Sequence, residues 1–240
     1  MIKVLKSILR KVLPEYTLGM IDFYRFPQWH SDRYGPFNDQ IGRLNIINQL
    51  VEVYHPQYII ETGTYRGSTT AHLSRSTGLP VFSIEANRRT YGFSKTRLKA
   101  DPNIHLSCGD SRLELQNIAE QNHLERQRGL VYLDAHWGEE LPLLDELNFV
   151  FTKLPDSIVV IDDFQVPYDA GYGYDDYGSG QALTLAYLAP ILNSFDILPF
   201  FPVCAAEEET GARRGCCILS AKSEIRRLLD SSFLIRPYSG

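Results

Sequence analysis

The sequence predicts an α/β protein built on a mainly parallel sheet, and three features predict it. Short apolar runs alternate with longer helical patterns from Tyr58 onward, each run ends in a polar or acidic residue, and a glycine-bearing turn follows the first run. Such alternation is the mark of βαβ units. The strands fall at 58–62, 81–85, 104–108, 130–134 and 158–162, with helices at 68–76, 89–100, 111–122 and 141–154 between and after them. A further helix at 181–193 precedes two apolar runs, 197–203 and 216–220, that read as an antiparallel pair. In an open sheet of this kind, ligands bind outside the carboxyl ends of the strands. The strand-end residues are therefore the ones to weigh.

With 240 residues, 44% of them hydrophobic and 22% charged, the chain can form one large domain with a buried core. It divides into a helical extension, 1–57, and an α/β domain, 58–240. The net charge of −5 gives no general attraction to a phosphate backbone, so a small-molecule partner is favoured over nucleic acid. Cys108, Cys204, Cys216 and Cys217 lack the spacing of a zinc site or a disulfide framework, which suits a cytoplasmic protein. The start, MIKVLKSILRKVLPEY, is basic and amphipathic but too interrupted by charge to span a membrane. It reads as a surface helix, or alternatively as a membrane-surface or dimer-contact helix. A homodimer is the base-rate expectation.

The turn after the first run is ETGTYRG, Glu61 to Gly67, and Ser68 behind it suits a helix N-cap. Gly63 allows a tight turn under a ligand, Gly67 allows close approach at the helix entrance, and the free N–H groups there can receive a carboxylate. An ordinary strand-to-helix turn would look much the same. Glu85 adds weight: it ends the next strand at about the distance, roughly 20 residues on, at which an acid accepts ribose hydroxyls. Asp110 and Ser111, past the third strand, can meet an adenine edge, or Asp110 can simply cap the next helix.

On these residues the chain resembles the class I S-adenosylmethionine-dependent methyltransferases, over roughly Tyr58 to Ser220. The resemblance implies a Rossmann-like seven-stranded sheet of order 3-2-1-4-5-7-6, with five parallel strands and then an antiparallel hairpin. It also implies S-adenosylmethionine as cofactor. In that family Glu61 would anchor the methionine part, with Gly63, Thr64 and Gly67 in the glycine motif, Glu85 on the ribose, and Asp110 with Ser111 on the adenine.

Asp134 ends the fourth strand, and Asp162 and Asp163 end the fifth, which is its expected neighbour. Strands lie roughly 4.8 Å apart, so these carboxylates would converge beside the cofactor and repel unless something positive joins them. Mg²⁺ is the natural candidate, the alternative being strand-end caps. The pattern is similar to metal-dependent O-methyltransferases of the macrolide-sugar and cephalosporin-hydroxylase-like type. His136 and Asp134 are the candidate catalytic residues, His136 because imidazole titrates near neutrality.

The loop 166–178, rich in tyrosine, glycine and aspartate, could close over a ring-shaped substrate or be a tyrosine-stabilised surface loop. Trp29, His30 and Tyr34 could form another wall. The charges of 207–215 read as a solvated hairpin tip. The expected activity is Mg²⁺-assisted O-methylation of a sugar or phenolic hydroxyl. Its rivals are metal-independent N-methylation, a hydroxylase-like reaction, a catalytically silent cofactor binder, and a nicotinamide oxidoreductase, the last disfavoured because ETGTYRG lacks Gly-x-Gly-x-x-Gly spacing.

Overall fold

The computed structural model of the chain describes residues 13–30, 35–135 and 141–238. Five strands, β1 (Tyr58–Thr62), β2 (Val81–Glu85), β3 (Ile104–Cys108), β4 (Gly129–Leu133) and β5 (Ser157–Ile161), run parallel. Two short strands, β6 (Phe200–Pro202) and β7 (Cys217–Leu219), pair antiparallel, and β7 is antiparallel to β5. The expected order 3-2-1-4-5-7-6 is present. An eighth strand, β8 (Ile235–Pro237), extends it past β6, giving β3-β2-β1-β4-β5-β7-β6-β8. β8 went unread because its three residues include an arginine and a proline and carry no alternation.

Helices α1 (Glu15–Arg25) and α2 (Ile41–Tyr54) precede the sheet. Helices α3 (Ser68–Thr77), α4 (Arg88–Leu98), α5 (Ser111–Asn122), α6 (Leu143–Lys153), α7 (Leu185–Ser194) and α8 (Ser223–Asp230) follow in chain order. The central strands β1, β2, β4 and β5 are buried along their whole length, as parallel strands covered on both faces must be. Edge strand β3 is only partly buried. One apolar layer contains Ile60, Ile84, Val131 and Val159 with Leu147 of α6, and the other contains Ile59, Leu130 and Ile158 with Ile46, Ile47 and Leu50 of α2. Each fully buried aliphatic side chain contributes roughly 1.5–3 kcal/mol. Helix α2, counted with the extension in the sequence, thus covers the central sheet.

Helix α1 lies on α4 at a distance that only glycine permits. A Cβ on Gly19 would sit 1.9 Å from the Arg89 carbonyl oxygen, and one on Gly92 would sit 2.1 Å from that of Tyr16. An Asp22–Arg89 ion pair at 2.6 Å ties the same helices. In an exposed helix, Gly→Ala stabilises by about 1 kcal/mol. Here the clash reverses the sign: Gly92→Ala should lower the thermal midpoint, and a raised midpoint would show that α1 does not dock on α4 in this way. Residues 1–12, and with them most of the basic amphipathic start, lie outside the described residues.

Candidate active site

The turn after β1 is held by backbone before any ligand arrives. Gly63 and Thr64 donate to the Ile84 carbonyl at 2.9 and 3.1 Å, and Gly67 donates to Thr64 at 2.8 Å. Gly63 has φ +88° and a Cβ there would lie 2.4 Å from the Asp134 carbonyl oxygen, so the turn needs glycine for both conformation and space. Gly67, not Ser68, occupies the N-cap of α3, and no side chain caps that helix. Its first N–H groups therefore remain available to an anion.

Glu61 lies beneath this turn, 2% exposed, with Oε2 accepting from the Thr70 and Ser83 hydroxyls at 2.5 Å each. Burial pushes its carboxyl up to about 7, against the pull of those two hydroxyls. Thr64 joins the network through its hydroxyl, 2.6 Å from that of Ser83. Glu85 accepts the Tyr65 N–H on Oε2 and the Asn87 N–H on Oε1, both at 2.8 Å. Burial raises its carboxyl as well. Asp110 does cap α5, accepting the Arg112 N–H at 3.0 Å, and the Arg112 side chain holds its carboxyl below the usual range. Ser111 is buried at the start of the same helix.

Asp134, Asp162 and Asp163 do meet at the carboxyl edge of β4 and β5, where the ladder runs on through Asp134 N–H to Thr62 (3.0 Å) and Asp162 N–H to Leu133 (2.9 Å). What joins them is arginine. The guanidinium of Arg43, on α2, pairs with Asp162, which also accepts the Tyr132 hydroxyl at 2.5 Å and the Asp163 N–H at 2.8 Å. Burial pushes Asp162 up, yet the Arg43 charge and these hydrogen bonds outweigh it and hold the carboxylate low. Asp163 pairs with Arg214 at 2.8 Å, and Arg214 also pairs with Asp175. Burial and the Asp162 charge still raise Asp163 to about 6.

Asp134 has no such cation of its own among the described residues. Burial, then the charges of Asp162, Asp163 and Glu61, push its carboxyl well above the usual range. Of the carboxylate oxygens a hard cation would need, both of Asp162 and Oδ1 of Asp163 already serve guanidinium, phenol and amide donors, whereas Asp134 and Asp163 Oδ2 accept no hydrogen bond among the described residues. No group of three metal-ligating side chains occurs among the described residues. Arg43 and Arg214, both distant in sequence, supply positive charge beside Asp162 and Asp163 that the Mg²⁺ expectation for Asp134, Asp162 and Asp163 did not include. His136 lies outside the described residues.

Two cavities open along this edge. The larger, about 720 Å³, is lined by Glu85, Asp110, Ser111, Arg112, Asp134 and Asp163 among others. The smaller, about 300 Å³, is lined by Glu61, Thr64, Gly67, Ser68, Thr69 and Asp162 among others. Asn38, Gly63, Tyr65 and Asp134 belong to both walls.

No family model and no curated protein matches the chain. Solved structures do. The O-methyltransferase from Bacillus cereus in complex with SAH is similar over 90% of this chain and 96% of its own, at 14% identity and a TM-score of 0.50. A proposed caffeoyl-CoA O-methyltransferase from Staphylococcus aureus shares 90% of this chain and 97% of its own, at 14% identity and 0.52. The methyltransferase domain of bacterial CtHen1-CN covers 75% of this chain and 97% of its own, at 13% identity and 0.52. The fold is the class I methyltransferase fold.

On that fold, several residues of the site were invisible to local sequence reading. Glu209, placed by sequence on a solvated hairpin tip, is 4% exposed and caps α2, accepting the N–H groups of Gly42 at 2.9 Å and Arg43 at 3.2 Å. Arg214, in the same segment, reaches Asp163 and Asp175. Asn38 enters both cavities from a turn before α2. In the loop 166–178, Tyr168 and Tyr172 donate to the carbonyls of Pro202 and Cys204 at 2.9 and 3.0 Å and line neither cavity, while Asp175 donates its N–H to the Asp163 carbonyl at 2.9 Å and pairs with Arg214. His30 stacks on Phe23 at 4.0 Å, and Tyr34 lies outside the described residues.

Arg43→Ala would strand the Asp162 carboxylate in a dry site, an outcome that costs roughly 3–5 kcal/mol. Urea unfolding should show that loss, and a loss below about 1 kcal/mol would mean the pair is not formed.

A second measurement concerns Glu146 of α6, which is fully buried with neither carboxyl oxygen partnered among the described residues. Burial pushes it up to about 7; Ser111 and Thr62 pull the other way without closing a hydrogen bond. An unfolded glutamate ionises near pH ~4.3. Between those values the folded chain keeps a proton that the unfolded chain has lost, so stability falls as pH rises. Glu146→Gln should therefore gain stability over the unsubstituted protein as pH is raised through this window, and parallel stability curves would contradict the assignment.

Proposed function

We propose that the chain transfers a methyl group from S-adenosylmethionine to a hydroxyl of a small polar acceptor, with its own side chains and not Mg²⁺ managing the proton. The observation that carries this reading is the wall shared by the two cavities. A ligand with an amino-acid tail in the smaller cavity and a nucleoside in the larger must pass Asn38, Gly63, Tyr65 and Asp134 at its middle. The SAH held by the Bacillus cereus enzyme of the same fold supports this choice of ligand.

The residues fit such a cofactor. The uncapped first turn of α3 would take its carboxylate and Glu61 its ammonium. Glu85 would take the ribose hydroxyls on lone pairs left over from its two backbone partners, and Asp110 with Ser111 would border the base. When bound, the cofactor supplies an electrophilic methyl group on a sulfonium sulfur. In this reading Asp134, on the wall of both cavities, would accept the acceptor's hydroxyl proton, and its raised affinity for protons would make its ionised form a better base than an ordinary aspartate. Arg43 and Arg214 offset the charges of Asp162 and Asp163, so Asp134 can ionise without a third uncompensated carboxylate beside it. The rest of the rate would come from alignment.

Calorimetry with S-adenosylhomocysteine tests the cofactor site: Glu85→Ala should weaken binding about tenfold or more, and a chain that binds none refutes the proposal. Asp134→Asn should lower labelled-methyl transfer to a sugar or phenol by about 10²–10⁴. Excess EDTA should leave the rate unchanged.

A further inference from the structure

Resting on the proposed cofactor site, we infer that Trp29 is a positioning residue of that site: it positions the cofactor turn through a stack of Trp29, Arg66 and Tyr65. The backbone bonds of Gly63, Thr64 and Gly67 hold the ends of the turn, and the strain sits between them. Tyr65 has φ +48° between two glycines at φ +88° and +78°, a conformation a bulky side chain adopts only when held there. Its N–H is the group that fixes Glu85, and its side chain is 53% exposed.

The hold comes from the next residue. The Arg66 guanidinium lies 4.3 Å from the ring centre of Trp29, 5.0 Å from that of Tyr65 and 5.9 Å from that of Phe93 on α4. The Arg66 carbonyl also accepts from Arg97 of α4 at 2.8 Å. No carboxylate pairs with the Arg66 side chain among the described residues, so aromatic faces are its partners.

Trp29 is itself anchored. It stacks on Phe26 with ring centres 4.2 Å apart and planes 26° apart, just past the end of α1. That helix is seated on α4 through the Gly19 and Gly92 contacts and the Asp22–Arg89 pair. A continuous chain of contacts thus runs from α1 through Trp29 and Arg66 to Tyr65, and from the Tyr65 N–H to Glu85 in the larger cavity. Removing the indole frees Arg66, and the cofactor must then order the Tyr65–Arg66 stretch that the backbone bonds of Gly63, Thr64 and Gly67 do not hold, which weakens binding.

The test uses the full chain and S-adenosylhomocysteine as probe. Trp29→Ala should raise the dissociation constant about five- to tenfold and speed amide hydrogen exchange at 63–67 while the thermal midpoint stays within a few degrees. Trp29→Phe, which keeps an aromatic face, should restore most of the affinity. Tyr24→Ala, on exposed α1 surface, should change neither. A folded Trp29→Ala protein that binds as tightly as the unsubstituted chain overturns this inference alone. An unsubstituted chain that binds no S-adenosylhomocysteine overturns the proposed function and this inference with it.

Discussion

The arrangement depends on one buried guanidinium. Arg43 reaches Asp162 and the Tyr132 hydroxyl with Nη1 and the carbonyls of Arg214 and Gly215 with Nη2, the latter at 2.7 and 2.9 Å. One side chain therefore joins α2, the ends of β4 and β5, and the chain entering β7. Burying two charges costs several kcal/mol per ion, and the cost is offset only where geometry is good and the remaining donors and acceptors are satisfied. Here the carboxylate and three further hydrogen bonds serve that purpose. The pair is consequently a positional constraint more than a source of stability: none of the four segments can shift without leaving a charge unpartnered in a dry site.

That constraint decides the electrostatics at the carboxyl edge of β4 and β5. Three aspartates at two strand ends invite a divalent cation when read from sequence, because nothing nearby in the chain is positive. The fold brings in Arg43 from more than a hundred residues upstream and Arg214 from the connection before β7. Each takes one carboxylate. Asp134 is the acid left without an arginine, and it is the one on the wall of both cavities. The division of roles among chemically identical side chains follows from which ones a guanidinium can reach.

This division also marks what could be read from the sequence. The parallel strands were legible because each is short, apolar and closed by a polar residue, and the residues after them, Glu61, Gly63, Glu85, Asp110 and Asp134, followed by position alone. β8 was not, since three residues with an arginine and a proline have no pattern to read. Arg43 and Glu209 failed for a different reason. An arginine within a helix and a glutamate in a charged run are ordinary surface residues by local statistics, and only contacts with residues more than a hundred positions away, Asp162 and Arg43 respectively, make one a buried post and the other a helix cap. Ser68 was misjudged as a cap because the tight turn ends one residue earlier, on a left-handed glycine.

The same long-range logic explains the most strained stretch of backbone in the site. Phe37, Asn38 and Asp39 all lie at positive φ, between +54° and +59°, a conformation that costs L-residues roughly 1–2 kcal/mol each. Their neighbours hold them there. Phe37 donates to the Thr69 hydroxyl at 3.2 Å, Ala212 donates to the Asn38 carbonyl at 3.1 Å, and the Thr210 hydroxyl donates to that of Asp39 at 2.6 Å. Gly211 lets the segment approach, since a Cβ there would lie 2.0 Å from the Asn38 oxygen. The strained turn puts Asn38 on the wall common to both cavities, beside Asp134 and the Gly63 turn. Backbone strain maintained from two segments, the start of α3 and 210–212, fixes Asn38 at the junction of the two cavities, where strained residues recur when a group must be held in one position.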